Sequence, residues 1–249
     1  MGRFDGRIAV VSGGASGIGR ATALRLASEG ARLEILDRHE AEETCRAIGD
    51  AGGVATAARC DVTDDDQIAA AVDAIAQRHQ RVDILVNNAG ILIDRRPWHT
   101  RSRQELECFL RVNYIGMYAL TRAIYPLLQR SACGRIVMMA SRTALVGNAE
   151  MSGYVESKAA VIALTKVLAR ELGPEGITVN AVAPGMIETP GTRAVHADRA
   201  MFDRARAQQV LKQPVTAEHV AAAVAFLASD DAAMITGQTI VCDGGGFLH

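Results

Sequence analysis

The chain has 249 residues, 49% of them apolar, and its 27 basic and 28 acidic side chains leave a net charge of -1. That length and apolar content suit one α/β domain over residues 1–249, and the balanced charge excludes a nucleic-acid footprint. Five scattered cysteines without a Cys-x-x-Cys pair, and six histidines without ligand spacing, predict free thiols and no metal site. The opening Met1-Gly2-Arg3-Phe4-Asp5-Gly6 lacks the apolar core of a signal peptide, and no run approaches the roughly 20 apolar residues that span a bilayer. A soluble, cytoplasmic protein with no membrane partner is expected.

Short β-branched runs alternate with longer Ala/Leu-rich segments. Ile8-Ala9-Val10-Val11-Ser12 is apolar on both faces, as a buried parallel strand requires. Residues 17–30 follow as a helix with Ile18, Ala21, Leu24 and Leu26 on one broad side. Strands over 32–37, 54–60, 82–87, 135–141, 177–182 and 239–243 continue the alternation. The helices between them cover 40–49, 65–79, 102–130 with a break allowed inside it, 153–172 and 217–228. Seven strands separated by helices predict a doubly wound parallel sheet with helices on both faces. Residues 184–214 hold three of the six prolines and little strand pattern, and form the predicted substrate lid.

Ser12-Gly13-Gly14-Ala15-Ser16-Gly17-Ile18-Gly19 sits between the first strand and the first helix. Positive φ is cheap only without a Cβ, and a bare backbone lets a pyrophosphate reach a helix N-terminus. Gly13, Ser16, Gly17, Ile18 and Gly19 are therefore the predicted phosphate contacts of a Rossmann-type site. No Gly-Lys-Ser/Thr follows, which disfavours a nucleotide triphosphatase. Asp37, ending the second strand, would accept hydrogen bonds from the ribose hydroxyls of NAD and repel the 2′-phosphate of NADP. The adjacent Arg38 would instead hold that phosphate, so NAD is expected and NADP remains the alternative. Asp61 and Val62, after the third strand, are placed to reach the adenine.

Tyr154-Val155-Glu156-Ser157-Lys158 sets a phenol and an ammonium at i and i+4 on one helical face. A free tyrosine has a pKa of about 10, and a nearby cation favours its phenolate. Such a pair can deliver a proton to a carbonyl oxygen or remove one from an alcohol. Ser141 is expected to end the fifth strand at the carboxyl edge, where open α/β sheets bind ligands. Asn113 falls inside a helix, where an amide is unfavourable unless it serves a purpose.

With these pieces in order, the chain resembles the short-chain dehydrogenase/reductase family over its whole length. The matching stretches are Gly13-x-x-x-Gly17-x-Gly19, Asp61, Asn87-Asn88-Ala89-Gly90, Asn113, Ser141, Tyr154-x-x-x-Lys158, Pro184-Gly185 with Thr189, and Asp243-Gly244-Gly245. The resemblance implies strand order 3-2-1-4-5-6-7 and a homotetramer built through helices and C-terminal strands. It implies Tyr154 as acid/base, with Lys158 binding the nicotinamide ribose and lowering the tyrosine pKa. Ser141 would polarise the substrate carbonyl, and Asn113 would hold a water of a proton relay. Asn87, Asn88, Ala89 and Gly90 would lie beside the adenosine ribose and stabilise the central sheet; Pro184, Gly185, Ile187 and Thr189 would meet the nicotinamide and phosphate end. Glu156 departs from the family, which has a small residue there, and is expected to point outward.

The substrate is less legible. Arg193, Arg199, Arg204 and Arg206 alternate in the lid with Met201, Phe202, Val210 and Leu211. They fit an amphipathic lid facing solvent or arginines that recognise an anionic substrate. Trp98 would line the pocket or cover the sheet. Ala200-Met201-Phe202-Asp203 is similar to NAD-dependent dehydrogenases of aryl-alkyl secondary alcohols. The rival readings are an NADPH-dependent 3-oxoacyl thioester reductase, against which Asp37 and Glu175 argue, and a sugar or polyol dehydrogenase. A nucleotide sensor without chemistry would be expected to have lost Tyr154 or Lys158.

Overall fold

The computed structural model describes residues 2–92, 94–195 and 198–248, so Met1, Ile93, His249 and two positions of the expected lid, His196 and Ala197, lie outside the described residues. Seven strands form one sheet: β1 (Ile8–Ser12), β2 (Arg32–Asp37), β3 (Val54–Arg59), β4 (Ile84–Asn87), β5 (Arg135–Met139), β6 (Thr178–Pro184) and β7 (Thr239–Cys242). Their order is β3-β2-β1-β4-β5-β6-β7 and every pairing is parallel, the outcome the resemblance implied. The registers start at Ile8↔Arg32 and Ile84↔Arg135. Every residue of β1, β4, β5 and β6 is buried, which is why these strands read as predominantly apolar rather than alternating. The edge strands β3 and β7 are only partly buried.

The helices are α1 (Gly17–Ser28), α2 (Glu42–Asp50), α3 (Asp65–Arg78), α4 (Arg103–Leu110), α5 (Gly116–Leu128), α6 (Thr143–Val146), α7 (Tyr154–Leu172), α8 (Pro190–Val195), α9 (Arg199–Gln208) and α10 (Ala217–Ala228). One layer joins α1 to α2 and α10; the other holds α3, α5 and α7. The chain winds outward from β1 in one direction, then returns to start β4 on the other side. The reversal opens a crevice at the carboxyl ends of β1 and β4, where such sheets bind ligands.

Two strand boundaries change, and the break allowed inside 102–130 is found. The fifth strand stops at Met139, so Ser141 lies two residues beyond it, although Ala140 and Arg142 still donate backbone hydrogen bonds to Val182 and Pro184 of β6. The helix over 102–130 is interrupted by one wide π turn, Arg111–Ile115, which carries Asn113 between α4 and α5. The sixth strand begins one residue later and runs two residues further than its periodicity suggests, because Pro184 closes it on the edge-side ladder to β7. Among the described residues no helix is long and apolar enough to cross a membrane.

Candidate active site

A cleft of about 700 Å³ lies over the carboxyl ends of the sheet. Gly13 and Gly17 line it with φ of +69° and +55°. A Cβ at Gly13 would come within 2.8 Å of the Asn88 amide nitrogen, and one at Gly17 would touch Thr189 at 3.4 Å. No side chain caps the first turn of α1, and no acidic residue stands in it. Its N–H groups and dipole are thus left for an anion at Ser16, Gly17 and Ile18. Asn88 ties this turn to β4 by donating to the carbonyls of Ser12 and Gly13, both at 3.0 Å, while the N–H groups of Asn88 and Ala89 bind Ser12 Oγ at 3.1 Å.

Asp37, Arg38, Asp61 and Val62 form the far end of the same wall, and Asn88, Ala89, Gly90, Pro184, Gly185, Ile187 and Thr189 continue it. The Asp37 carboxylate is already oriented: it accepts from the N–H of Ala15 and of His39, each at 2.9 Å. Asp61 accepts from Thr63 N and Oγ1 at 2.9 and 2.8 Å, which holds its carboxyl below the usual range.

Gly19 is an expected contact that is not in the wall, and Asn87 shows only the sheet-stabilising half of its expected role. Gly19 packs behind the turn, where a Cβ would sit 2.0 Å from the Gly13 carbonyl oxygen; its glycine serves helix-to-turn packing. Asn87 is wholly buried beneath the wall, donating to Thr121 Oγ1 at 2.8 Å and to Met138 Sδ at 3.3 Å, so it fastens α5 to the sheet.

The other half of the cleft brings Ser141, Tyr154 and Lys158 together. Tyr154 opens α7 and is 8% exposed, packed with Phe109, Met151, Ile91 and Val155. Burial pushes its phenol above the ordinary tyrosine value, while a hydrogen bond with Ser141 pulls the other way. Lys158 is buried one turn on, donates from Nζ to the Met139 carbonyl at 2.8 Å, and is pushed down to about 8 by burial. The net direction for the tyrosine in the protein alone is therefore upward, opposite to the lowering that the resemblance assigns to the lysine. Burial disfavours the charged phenolate and outweighs the hydrogen bond with Ser141.

Asn113 is buried at the wide turn, with Oδ1 accepting from Ile91 N at 2.8 Å and Nδ2 donating to Ile91 O and Ser157 Oγ at 3.2 and 3.1 Å. Its amide holds the loop after β4 against α7. Gly90 fits between the two functional side chains, since a Cβ there would stand 3.0 Å from Asn113 Oδ1 and 3.4 Å from Lys158 Nζ. Glu156 is exposed as expected, and its carboxylate caps the start of α7 by accepting from Gly153 N and from Ser152 Oγ.

Trp98 neither lines the cleft nor covers the sheet; it is 74% exposed. Sequence reasoning missed Leu92, Arg95, Arg142 and Met151, which line the substrate half. Arg142 had a signal, being the residue directly after Ser141; the others come from loops without a motif. Of the lid arginines only Arg204 reaches the cleft.

A parallel sheet of this order, with a bare glycine turn at a helix N-terminus and a buried phenol beside serine and lysine, defines an NAD(P)-dependent oxidoreductase acting on alcohol or keto groups. The chain belongs to the short-chain dehydrogenase/reductase family, and residues 13–246 match the family described as enoyl-(acyl carrier protein) reductase. It is 37% identical over 250 residues to the 3-oxoacyl-(acyl-carrier-protein) reductase FabG of Salmonella typhimurium, covering 98% of this chain and 99% of that protein. It is 38% identical over 247 residues to cis-4-hydroxycyclohexanecarboxylate dehydrogenase of Sinomonas cyclohexanicum, covering 97% of each. The crystal structure of carveol dehydrogenase from Mycobacterium avium in complex with NAD superposes with a TM-score of 0.92 at 30% identity, over 99% of both chains.

Proposed function

We propose that this chain is an NAD-dependent dehydrogenase of a secondary alcohol, working reversibly on the corresponding ketone. The observation that carries the reading is the buried Tyr154 phenol on the cleft wall, which Ser141 also lines, with Lys158 one helical turn away. The nicotinamide cofactor, when bound, supplies the acceptor or donor of hydride. Gly13, Ser16, Gly17 and Ile18 hold its phosphates, Asp37 with Arg38 its adenosine ribose, and Asp61, Val62, Asn88, Ala89 and Gly90 its adenosine. Pro184, Gly185, Ile187 and Thr189 border its nicotinamide end.

In oxidation Tyr154 takes the hydroxyl proton while the carbinol C–H bond gives up its electron pair; in reduction it returns that proton to the carbonyl oxygen. Ser141 orients the reacting oxygen. The Lys158 ammonium favours the phenolate and binds the nicotinamide ribose. Asn113 positions this machinery through Ile91 and Ser157. The segment 184–214 acts as the substrate lid of one domain spanning residues 1–249; Met186, Met201 and Arg204 face the cleft from it.

NAD is preferred because an oriented carboxylate at Asp37 repels a 2′-phosphate. The similarity to the Salmonella reductase favours a second reading, reduction of a 3-oxoacyl thioester. Glu175 weighs against it: the side chain offered there is acidic and is bound by Tyr125 Oη at 2.7 Å and Gln129 Nε2 at 3.2 Å. A homotetramer in the cytoplasm is part of this proposal. Exposed Ile115, Tyr118 and Val167 on the α5–α7 side and Met234 and Leu248 near β7 supply apolar surface for it, and light scattering would check the mass.

A spectrophotometric screen tests the reading: NAD and NADP reduction with aryl and cyclic alcohols, polyols, hydroxy acids and a 3-hydroxyacyl thioester. Turnover of secondary alcohols with NAD at least tenfold above NADP is expected. Turnover confined to the thioester with NADP would replace this reading by the second.

A further inference from the structure

The substrate half of the cleft carries an uncompensated charge pattern. Arg95, Arg142 and Arg204 line it, whereas the only carboxylates lining the cleft among the described residues, Asp37 and Asp61, stand at the opposite, adenosine end. Arg204 has a partner in Asp198 at 3.6 Å, and both are exposed, so solvent screens that pair. Arg95 is exposed and makes no hydrogen bond or ion pair among the described residues.

Arg142 is different in kind. It follows Ser141 directly, its backbone is pinned to the Pro184 carbonyl at 3.0 Å, and its side chain is only 12% exposed. Its guanidinium passes so close over Gly246 that a Cβ there would lie 2.5 Å from Nη1. No guanidinium nitrogen makes a hydrogen bond among the described residues, and Nε is buried without an acceptor. The nearest acid is Asp243, with Oδ2 3.6 Å from Nη1, beyond hydrogen-bond length. The other oxygen, Oδ1, is committed to the N–H groups of Gly245 and Gly246 at 3.0 and 3.1 Å.

Burying Nε without an acceptor is costly, whereas Nη1 and Nη2 are not fully shut off from solvent; Asp243 Oδ2, facing them at 3.6 Å, is itself buried without a hydrogen-bond partner. Asp243 supplies charge from behind without satisfying the donors, which is the arrangement of a cation held ready for a second carboxylate. Because Arg142 is covalently next to the serine that orients the reacting oxygen, an anion bound there would be attached to the substrate itself. We infer that Arg142 is a specificity-determining residue that binds a carboxylate of the substrate, so that the secondary alcohol oxidised here is a hydroxy acid. This rests on the dehydrogenase reading above and names the substrate class for it.

The experiment compares the NAD-loaded enzyme on cis-4-hydroxycyclohexanecarboxylate, on its methyl ester, and on a 3-hydroxyacyl coenzyme A thioester whose anionic groups are phosphates. The free acid should exceed the ester by about tenfold or more in kcat/KM, as a charge-assisted bidentate contact implies. Arg142→Gln should lower the acid about 30-fold, mainly through KM, and the ester several-fold at most, with Arg142→Lys recovering part of the loss. Equal losses on acid and ester would overturn the inference and leave Arg142 as a fastener of the C-terminal turn, with the dehydrogenase intact. A preference for the thioester that Arg142→Gln abolishes would also overturn it, assigning the anion to a carrier phosphate.

Binding is read independently of turnover by calorimetry of the wild-type NAD complex with cyclohexanecarboxylate and with its carboxamide. The carboxylate should bind at least tenfold more tightly than the amide; equal affinities would overturn the inference even if Arg142→Gln did not fold. Absence of turnover on every alcohol, with the carboxylate still bound preferentially, would sink the dehydrogenase reading alone.

Discussion

The two halves of the cleft are built on different principles. The cofactor half is backbone: a glycine turn, the first N–H groups of α1, and the ends of buried strands cross-tied by Asn88 and Ser12. The substrate half is side chains delivered by loops and by α8 and α9, neither of which buries a single residue. The first is held by the cross-ties of Asn88 to Ser12 and Gly13 and of Asp37 to Ala15 and His39. The second rests on few buried contacts, the condition under which a segment opens locally at low cost. A dinucleotide of fixed shape is met by the rigid half, and chemical choice is left to the half whose sequence can vary without harm to the fold.

The proposed proton machinery stands at the seam, and substitutions there should have the largest effects. Tyr154→Phe is expected to lower kcat by about a thousandfold or more while NAD still binds within a few-fold, measured by steady-state kinetics and cofactor fluorescence titration. Substantial residual turnover would exclude the phenol as proton carrier. Lys158→Met should abolish most activity yet raise the melting temperature at neutral pH. A shift from 10.5 to about 8 corresponds to roughly 3 kcal/mol of unfavourable burial, partly offset by the lost bond to Met139. The unfolded chain binds more protons than the folded one between those two values, so wild-type stability rises with pH across that window. The advantage of Lys158→Met should accordingly shrink between pH 8 and 10.5 in thermal melts; an advantage that stays constant with pH would mean burial of charge is not its cause.

Within the rigid half, Asp37→Ala should reduce the NAD over NADP preference about tenfold, read as the ratio of kcat/KM values. An unchanged ratio would move the determinant to Arg38. The smallest effect is at the entrance to α7: Glu156→Ala removes the cap on Gly153 and Ser152 and should cost about 1 kcal/mol in urea unfolding, with kcat within a few-fold.

The same division explains what the sequence discloses. Sheet order, the glycine turn and the Tyr154/Lys158 spacing are legible because each is imposed by local backbone geometry or helical period. Ser141 is expected at a strand end and lies two residues beyond, since ladder bonds to β6 continue after the regular strand stops. Asn87 and Asn88 are indistinguishable as letters, and only the pleat decides that the first points into the sheet and the second into the cleft. Arg95 and Met151 carry no pattern at all, because loop conformation is set by what it packs on. Asn113 is readable as an anomaly within a helix, but its partner Ile91 is 22 positions away.

That wide turn also fixes a phase. Each helical residue advances about 100°, so the additional residue in Arg111–Ile115 rotates α4 against α5 by about that angle. Shortening the turn by one residue would leave a smoother rod, yet it would swing Phe109 away from the Tyr154 ring and carry the Asn113 amide off the Ile91 backbone. The irregularity therefore works as a dial: it sets where the floor beneath the phenol faces.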